Sequence, residues 1–193
     1  MTVDHLTLRL VGGPTAVFEY AGLRWLTDPT FSPPGEYGGL VKTTGPALGF
    51  DELGPIDVVL LSHDHHADNL DPEGRACLPR AGRVLTTTAG AHRLGGNAIG
   101  LAPWSSLELD RPDGGTVMVT AVPALHGPEG SEEVNGPVIG FLLGGEGLER
   151  VYVSATTPRW MLCARLPSAP GRWPSRCSSL VRFSFAIGSR VRI

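Results

Sequence analysis

The chain has 193 residues, 41% of them hydrophobic, so it can bury one substantial core and we expect a single domain. No stretch offers 18 uncharged apolar residues, and the N-terminal MTVDHLTLRL lacks the basic and then apolar run of a signal peptide, so we expect a cytoplasmic protein without a membrane span. The three cysteines have no CxxC spacing, which argues against a disulfide framework or a zinc ribbon.

Charge is distributed unevenly along the chain. Residues 1–150 carry 9 Arg and Lys against 19 Asp and Glu, a formal charge of −10, whereas residues 151–193 carry seven Arg and no acid. The basic end holds no recognisable nucleic-acid-binding module, and the rest of the chain is acidic. We therefore expect no nucleic-acid partner, and the sequence leaves the oligomeric state open.

Three short strands are predicted at the start of the chain. Leu6 to Val11 alternates with period two and ends at a Gly-Gly-Pro turn. The runs Ala16 to Tyr20 and Leu23 to Leu26 are joined by Ala21-Gly22, which predicts a β-hairpin.

Two features between the third strand and residue 57 have both a functional and a structural interpretation. Asp28 follows the third strand and precedes a proline, so it either orients a ligand histidine as a hydrogen-bond acceptor or starts a turn. Residues 32–56 are rich in Gly and Pro without sustained periodicity, which predicts a loop over a site mouth. Tyr37 and Lys42 are either substrate contacts there or solvated surface residues.

The stretch Asp57 to Asp71, DVVLLSHDHHADNLD, carries the chemistry. Its apolar run Val58 to Leu61 predicts a buried strand, and the segment His63 to Asn69 then holds three histidines, two carboxylates and an amide. Imidazole and carboxylate suit zinc, iron or manganese, so we predict a metal site. The alternative is a polar turn before a helix that begins with Asp71 as N-cap and Pro72 at its first position.

The later elements bring one further histidine to a strand end. The predicted elements are, in chain order, helix Pro72 to Leu78, strand Arg83 to Thr88, helix Ala89 to Leu94, and strands at 99–109, Thr116 to Val122, Pro137 to Leu143 and Val151 to Ser154. His126 lies just past one of these strands and before Gly-Pro, as a ligand or a turn histidine. His92, alone in a helix, is expected to be structural.

The polar loop resembles the metal-binding loop of the metallo-β-lactamase superfamily, whose signature is His-x-His-x-Asp-His after a buried strand. Aligned on the aspartate, the four signature positions fall on Asp64, His66, Asp68 and Asn69. The loop is also similar to that of a divergent, lactonase-like branch of bacterial hydrolases, Ser-His-Asp-x-His-x-Asp-Asn-Leu-Asp. Ser62 to Asp71 satisfies every one of those positions.

A second register aligns the signature on His63 and His65. It places Ala67 and Asp68 where the family has Asp and His, so neither of these two positions matches the signature. The first register is therefore preferred. The first register predicts that His66, and not His65, is a ligand.

The resemblance implies an α/β fold, a metallo-β-lactamase-like αββα sandwich whose second half is truncated or altered. It covers about residues 4–154, so we expect an incomplete domain of this kind over residues 1–154. It also implies a first metal ion held by His66 and His126, with His63 or Asp64 as a third ligand. The ion would be zinc, with iron or manganese as alternatives, and the site would hold one or two ions.

The resemblance further implies that Asp68, helped by Asn69, touches a second ion or the attacking water. The function that the resemblance implies is a metal-dependent hydrolase acting on a small-molecule substrate, an ester, a lactone or a phosphodiester-like compound. The chain has Ala155-Thr156 where the family carries Gly-Asp, and no later histidine. The competing hypothesis is therefore an inactive family member, a metal-binding remnant or a small binding module.

Residues 155–193 are expected to be an atypical tail rather than the natural end of this fold. The change in composition begins where the family carries its bridging aspartate, and the simplest hypothesis is a reading-frame shift near codon 155. The alternative is a genuine divergent ending with its own strand within Leu180 to Ile187.

Overall fold

A computed structural model describes residues 7–124 and 136–154, and the backbone of 180–184. The first sheet has six strands in the order β1-β2-β3-β6-β7-β8. These strands are β1 (Leu8–Gly12), β2 (Thr15–Tyr20), β3 (Leu23–Thr27), β6 (Val58–Leu60), β7 (Arg83–Thr87) and β8 (Ala98–Leu101). Strands β1 to β3 are antiparallel, and β3, β6, β7 and β8 run parallel. The predicted hairpin is confirmed, since Tyr20 pairs with Leu23 across Ala21 (φ 56°) and Gly22 (φ 73°), both in the left-handed region that such a turn needs.

The second sheet has the order β13-β12-β11-β10-β9. These strands are β9 (Ser106–Asp110), β10 (Thr116–Ala124), β11 (Val138–Gly144), β12 (Arg150–Ser154) and β13 (Leu180–Ser184). All neighbours are antiparallel except β12 and β13, which are parallel. Strand β13 agrees with the alternative of a short strand in the tail. The frameshift hypothesis stays a prediction, and the rest of 155–193 lies outside the described residues.

The strand predicted over residues 99–109 is wrong as a single element. It is divided into β8 and β9, which belong to different sheets. The interruption contains Pro103, which lacks an N–H, and Trp104, whose φ is 65°. The Ser105 N–H donates to the Ala102 carbonyl (2.9 Å), and this turn transfers the chain from one sheet to the other.

The helices are short and capped. α1 (Pro72–Cys77) confirms the predicted cap, because the Asp71 side chain accepts from the Gly74 N–H and Pro72 occupies the first turn. α2 (Thr88–Leu94) is capped in the same way by Thr87. Two 3₁₀-helices cover Phe50–Leu53 and Leu78–Arg80, and strands β4 (Gly35–Tyr37) and β5 (Leu40–Lys42) form a ribbon. The loop predicted over 32–56 therefore contains regular structure.

Two apolar clusters lie on opposite faces of the first sheet. One packs the two sheets together and includes Trp25, Leu60, Leu85, Phe141 and Leu143. The other joins the first sheet to the helical layer and includes such residues as Leu26, Val59, Leu78 and Val84. The described residues place no helix on the far side of the second sheet, and no described helix has the length and hydropathy to cross a membrane. This two-sheet architecture, with helices on the first sheet, confirms the predicted fold class.

Candidate metal centre

The candidate site lies at the carboxyl ends of parallel strands in the first sheet. Strands β3, β6 and β7 run in the same direction, so the segments after Thr27, Leu60 and Thr87 leave one edge together. The second sheet touches this edge through the Ile139 N–H, which donates to the Ser62 carbonyl (3.2 Å). The loop that carries the histidines therefore begins where the two sheets meet.

Three predicted residues meet in this loop. His63, His66 and Asp68 each offer one ligand atom, and these three atoms lie within 4.8 Å of one another. A turn supports the approach, because the N–H groups of Asn69 (3.1 Å) and Leu70 (2.9 Å) both donate to the His66 carbonyl. His63 is fully buried, whereas His66 and Asp68 are partly exposed, so the cluster opens on one side.

The spacing of the two imidazoles suits a metal ion. His63 Nε2 lies 3.1 Å from His66 Nδ1, close enough for one ring to donate its proton to the other. Two nitrogens that each lie at about 2.0–2.1 Å from a tetrahedral ion are separated by about 3.3–3.4 Å. An ion in place of the shared proton thus needs only a small adjustment of the rings. The donor set of two imidazoles and a carboxylate fits zinc, iron or manganese.

A chain of buried polar groups lies behind His63. Its Nδ1 is 3.0 Å from Ser62 Oγ, which accepts a hydrogen bond from Asn69 Nδ2 (3.1 Å). Asn69 Nδ2 also donates to Asp28 Oδ2 (3.1 Å), and the Ser62 N–H donates to Asp28 Oδ1 (2.7 Å). Asp28 therefore joins the site through Asn69 and Ser62, a longer route than the direct bond to a ligand histidine considered from the sequence.

Asp28 is an unusual carboxyl group. Burial raises its pKa to about 7, and the nearby Asp68 charge adds to the rise, while hydrogen bonds from Ser62 and Asn69 oppose it. Its backbone has φ 26°, which is uncommon for a residue other than glycine.

The side-chain oxygen of Asn69 is a further buried polar atom. Within the described part of the chain, this Oδ1 atom has no hydrogen-bond partner.

Asp64 is directed toward the helical layer. Its Oδ2 accepts from Arg93 Nε (2.9 Å) and its Oδ1 accepts from Arg93 Nη2 (2.6 Å), while its backbone carbonyl accepts from Arg75 Nη2 (2.9 Å). Burial alone would raise the pKa of this carboxyl, but the hydrogen bonds and charge of Arg93 outweigh it and lower the pKa. Both carboxylate oxygens of Asp64 thus accept hydrogen bonds from Arg93. The role of Asp64 as a metal ligand stays a prediction.

Of the other two histidines considered for the site, His65 is described and lies outside the cluster. His65 Nδ1 is 3.7 Å from Asp64 Oδ1, and the His65 ring packs so close to Gly136 that a Cβ there would meet it at 3.0 Å. His126 lies outside the described residues, so its role as a ligand stays a prediction.

The two proposed substrate contacts make bonds within the chain. Tyr37 Oη donates to the Pro33 carbonyl (2.9 Å), and Lys42 Nζ donates to the Thr30 carbonyl (3.1 Å) and to Asp71 Oδ2 (3.0 Å). Asp71 also accepts from the backbone N–H groups of Phe31, Ser32 and Gly74. Lys42 thus fastens the β4–β5 ribbon to the end of the histidine loop.

Sequence reasoning missed Ser62, Arg75 and Arg93. Ser62 belongs to the branch pattern, but its contact with His63 depends on ring orientation. Arg93 lies on α2, 29 residues after its partner Asp64. No periodicity or spacing in the sequence connects the two, and only charge complementarity across the loop could have suggested the pair.

Comparison with known families gives a match over most of the chain. The model of a family described as "Beta-lactamase superfamily domain" matches residues 24–168. Within this range lie the histidine loop, both helices and strands β6 to β12.

Solved structures with a similar fold include a hydrolase, a possible metal-dependent hydrolase and a diiron hydroxylase. An isothiocyanate hydrolase from Delia radicum gut bacteria has 19% identity and a TM-score of 0.63, and the match covers 78% of this chain and 62% of that one. A possible metal-dependent hydrolase from Veillonella parvula DSM 2008 gives 18% identity, a TM-score of 0.63 and coverages of 79% and 62%. CmlA, a diiron beta-hydroxylase from Streptomyces venezuelae, has 24% identity and a TM-score of 0.54, and the match covers 80% of this chain and 30% of that one. The chain thus spans less than two thirds of the length of these relatives, and the likeness concerns the fold.

Proposed function

Because the chain belongs to the beta-lactamase superfamily domain family, as the resemblance of its histidine loop predicted, we propose that it is a metal-dependent hydrolase. The observation that carries the proposal is the convergence of His63, His66 and Asp68 at the edge of the first sheet. We propose a small-molecule ester, lactone or phosphodiester as the substrate. Zinc is the proposed metal, with iron or manganese as alternatives.

His63 and His66 are the proposed imidazole ligands. His63 Nε2 and His66 Nδ1 face each other at 3.1 Å and would be the donor atoms. The His63 ring would then carry its proton on Nδ1 and donate it to Ser62 Oγ, which would fix the tautomer and the ring plane. His66 belongs to the turn that also carries Asp68, so the two side chains keep a fixed relation.

Asp68 is the proposed proton acceptor. When bound, an ion of this kind supplies a water whose pKa is lowered to about 7 and polarises the scissile carbonyl or phosphoryl oxygen. Asp68 is partly exposed on the open side of the cluster, where a carboxylate oxygen can orient that water and receive its proton. His126 is retained as a proposed further ligand.

Metal analysis of purified variants tests the proposal. We expect about one equivalent of zinc, iron or manganese in the wild type, and a large loss in His63→Ala and His66→Ala. His65→Gln and His92→Ala remove histidines outside the cluster and should keep the metal. Equal metal content in all five proteins would overturn the site.

A second candidate is a metal-binding protein without hydrolase activity. Ala155-Thr156 favours it, because a threonine cannot bridge two ions as a carboxylate does. Turnover of a panel of esters, lactones and phosphodiesters by the metal-loaded chain separates the two. Activity that is abolished by Asp68→Asn supports the hydrolase, whereas bound metal without turnover supports the second candidate.

A further inference from the structure

The Asp64 carboxylate is held from outside the histidine loop. Arg93 on α2 donates from two nitrogens to its two oxygens, at 2.9 and 2.6 Å, in the bidentate arrangement that makes Arg–carboxylate pairs geometrically specific. The Asp64 side chain is 3% exposed and that of Arg93 is 41% exposed. Arg75 on α1 holds the backbone carbonyl of the same residue. Both helices therefore contribute an arginine that is hydrogen-bonded to Asp64.

Close packing around Gly90 allows the hydrogen bonds between Arg93 and Asp64 to form. A Cβ built on Gly90 would lie 2.9 Å from Thr87 Oγ1, 3.0 Å from Thr86 Oγ1 and 3.2 Å from Asp64 Oδ1. The Gly90 N–H donates to Thr87 Oγ1, the cap of α2. The absence of a side chain at this position thus lets the first turn of α2 approach the Asp64 carboxylate.

Engagement with Arg93 conflicts with metal ligation by Asp64. A carboxylate that turned toward an ion would give up at least one of its hydrogen bonds to Arg93. The described residues offer Arg93 no second carboxylate as an ion-pair partner. Asp64 is also adjacent to His63, whose Nε2 lies 3.1 Å from His66.

We propose that Asp64 is a positioning residue and that Arg93 is its partner: the pair fixes the backbone beside His63 so that His63 and His66 stay at metal-binding separation. This inference rests on the proposed metal site. The outer groups that orient metal ligands typically contribute about 10–100-fold to metal affinity. The bidentate bond between Arg93 and Asp64, the residue next to His63, is an interaction of this kind.

Cobalt(II) titration distinguishes positioning from ligation, because the two roles predict opposite results for Arg93→Met. If Arg93 positions the loop, this variant should bind Co²⁺ about 10–100-fold more weakly, with an altered visible spectrum. If Asp64 is a ligand restrained by Arg93, removal of the guanidinium frees the carboxylate, and Co²⁺ affinity should stay the same or increase. Unchanged or tighter binding would overturn the inference.

Three further variants complete the test. Arg93→Lys keeps the charge without the two-pronged geometry, so it should bind Co²⁺ with an affinity between those of wild type and Arg93→Met. Gly90→Ala keeps every ionisable group but displaces α2, and it should also weaken binding. Arg80→Met removes an exposed ion pair with Asp51, outside the histidine loop, and should match the wild type. Normal binding by Gly90→Ala and Arg93→Lys would contradict the proposal even if Arg93→Met failed to fold.

The same titration separates failure of the inference from failure of the proposed function. A wild type that binds no Co²⁺ refutes the metal site. Wild type and Arg93→Met binding with equal affinity, while His66→Ala binds none, refutes only the positioning role.

Discussion

The two sheets bury different kinds of side chain. At the carboxyl edge of the first sheet, Asp28, Ser62, Asn69, Asp71 and Thr86 are all buried. In strands β9 to β12 of the second sheet, the buried side chains are apolar apart from Ser154 and the hydroxyl of Tyr152, with such residues as Val119, Phe141 and Leu143 facing the first sheet. Parallel strands deliver their ends to one edge, whereas antiparallel neighbours alternate, so polar loop residues accumulate only in the first sheet.

This difference separates stability from metal binding. The buried polar groups of the first sheet compensate each other through hydrogen bonds that reach from Asp28 to His63. Within the described ranges, the second sheet supplies an apolar face and a backbone hydrogen bond to the loop, from the Ile139 N–H to the Ser62 carbonyl. Substitutions in the second sheet should therefore alter only the free energy of unfolding. Substitutions at the carboxyl edge of the first sheet should also alter metal affinity.

The largest expected effect is in the second sheet. Phe141→Ala removes a fully buried ring from the core between the sheets, and it should lower the free energy of unfolding by about 3–5 kcal/mol. Urea denaturation measures the change, and Met118→Ala on the neighbouring strand is the control because Met118 is 42% exposed. Co²⁺ affinity of the folded Phe141→Ala protein should equal that of wild type. A large loss of affinity would break the comparison between the sheets.

Asp28 should make the stability of the metal-free protein depend on pH. Its folded pKa is about 7 against an ordinary value of 3.8, so the unfolded chain releases this proton at a lower pH than the folded chain. The stabilising contribution is complete below pH 3.8 and is lost as pH rises through about 7. The full shift corresponds to at most about 4 kcal/mol.

Asp28→Asn cannot titrate and should remove this fall. The measurement is the free energy of unfolding of both metal-free proteins from pH 5 to 8, and the informative quantity is the difference between them. If the two curves run parallel over this range, the raised pKa of Asp28 is wrong.

Asp71 tests the fastening at the end of the histidine loop. Asp71→Asn replaces one of two carboxylate oxygens by an amide donor that faces Lys42 or backbone N–H groups, and we expect a loss of about 1–3 kcal/mol. Thermal unfolding measures it. Asp113→Asn removes an exposed charge paired with Arg111 and provides the control. Equal melting temperatures for the two variants would show that Asp71 does not fasten the loop.

Local patterns in the sequence predicted much of this architecture. Alternation and a two-residue turn gave β1 to β3, and the cap at Asp71 followed from the residue types around Pro72. The buried run before His63 likewise predicted β6. Each of these signals depends on residues within a few positions of one another, where backbone preferences act directly.

Long-range features could not be predicted in this way. The break at Trp104 divides the single strand predicted over residues 99–109 between two sheets, and only the pairing partners of each half show which sheet it joins. The pair of Asp64 and Arg93 depends on how α2 packs beside the loop, which the residue types of the loop do not reveal. The ribbon β4–β5 formed in a segment whose Gly and Pro content favoured an irregular loop.

The smallest expected effect is at the β2–β3 hairpin of the first sheet, away from the carboxyl edge. Glu19 accepts from Arg24 Nε (2.6 Å), but their side chains are 50% and 36% exposed, so water screens the pair and an exchange of Glu19 should change stability little. Glu19→Gln should lower the free energy of unfolding by about 0.2–1 kcal/mol, less in high salt, with unchanged Co²⁺ affinity. Arg24 keeps a second bond, to the Leu53 carbonyl, and so remains ordered in the variant. Urea denaturation at low and high salt measures the effect. A loss as large as that of Asp71→Asn would show that polar pairs of the first sheet stabilise the chain wherever they lie, and not only at the edge that carries the histidines.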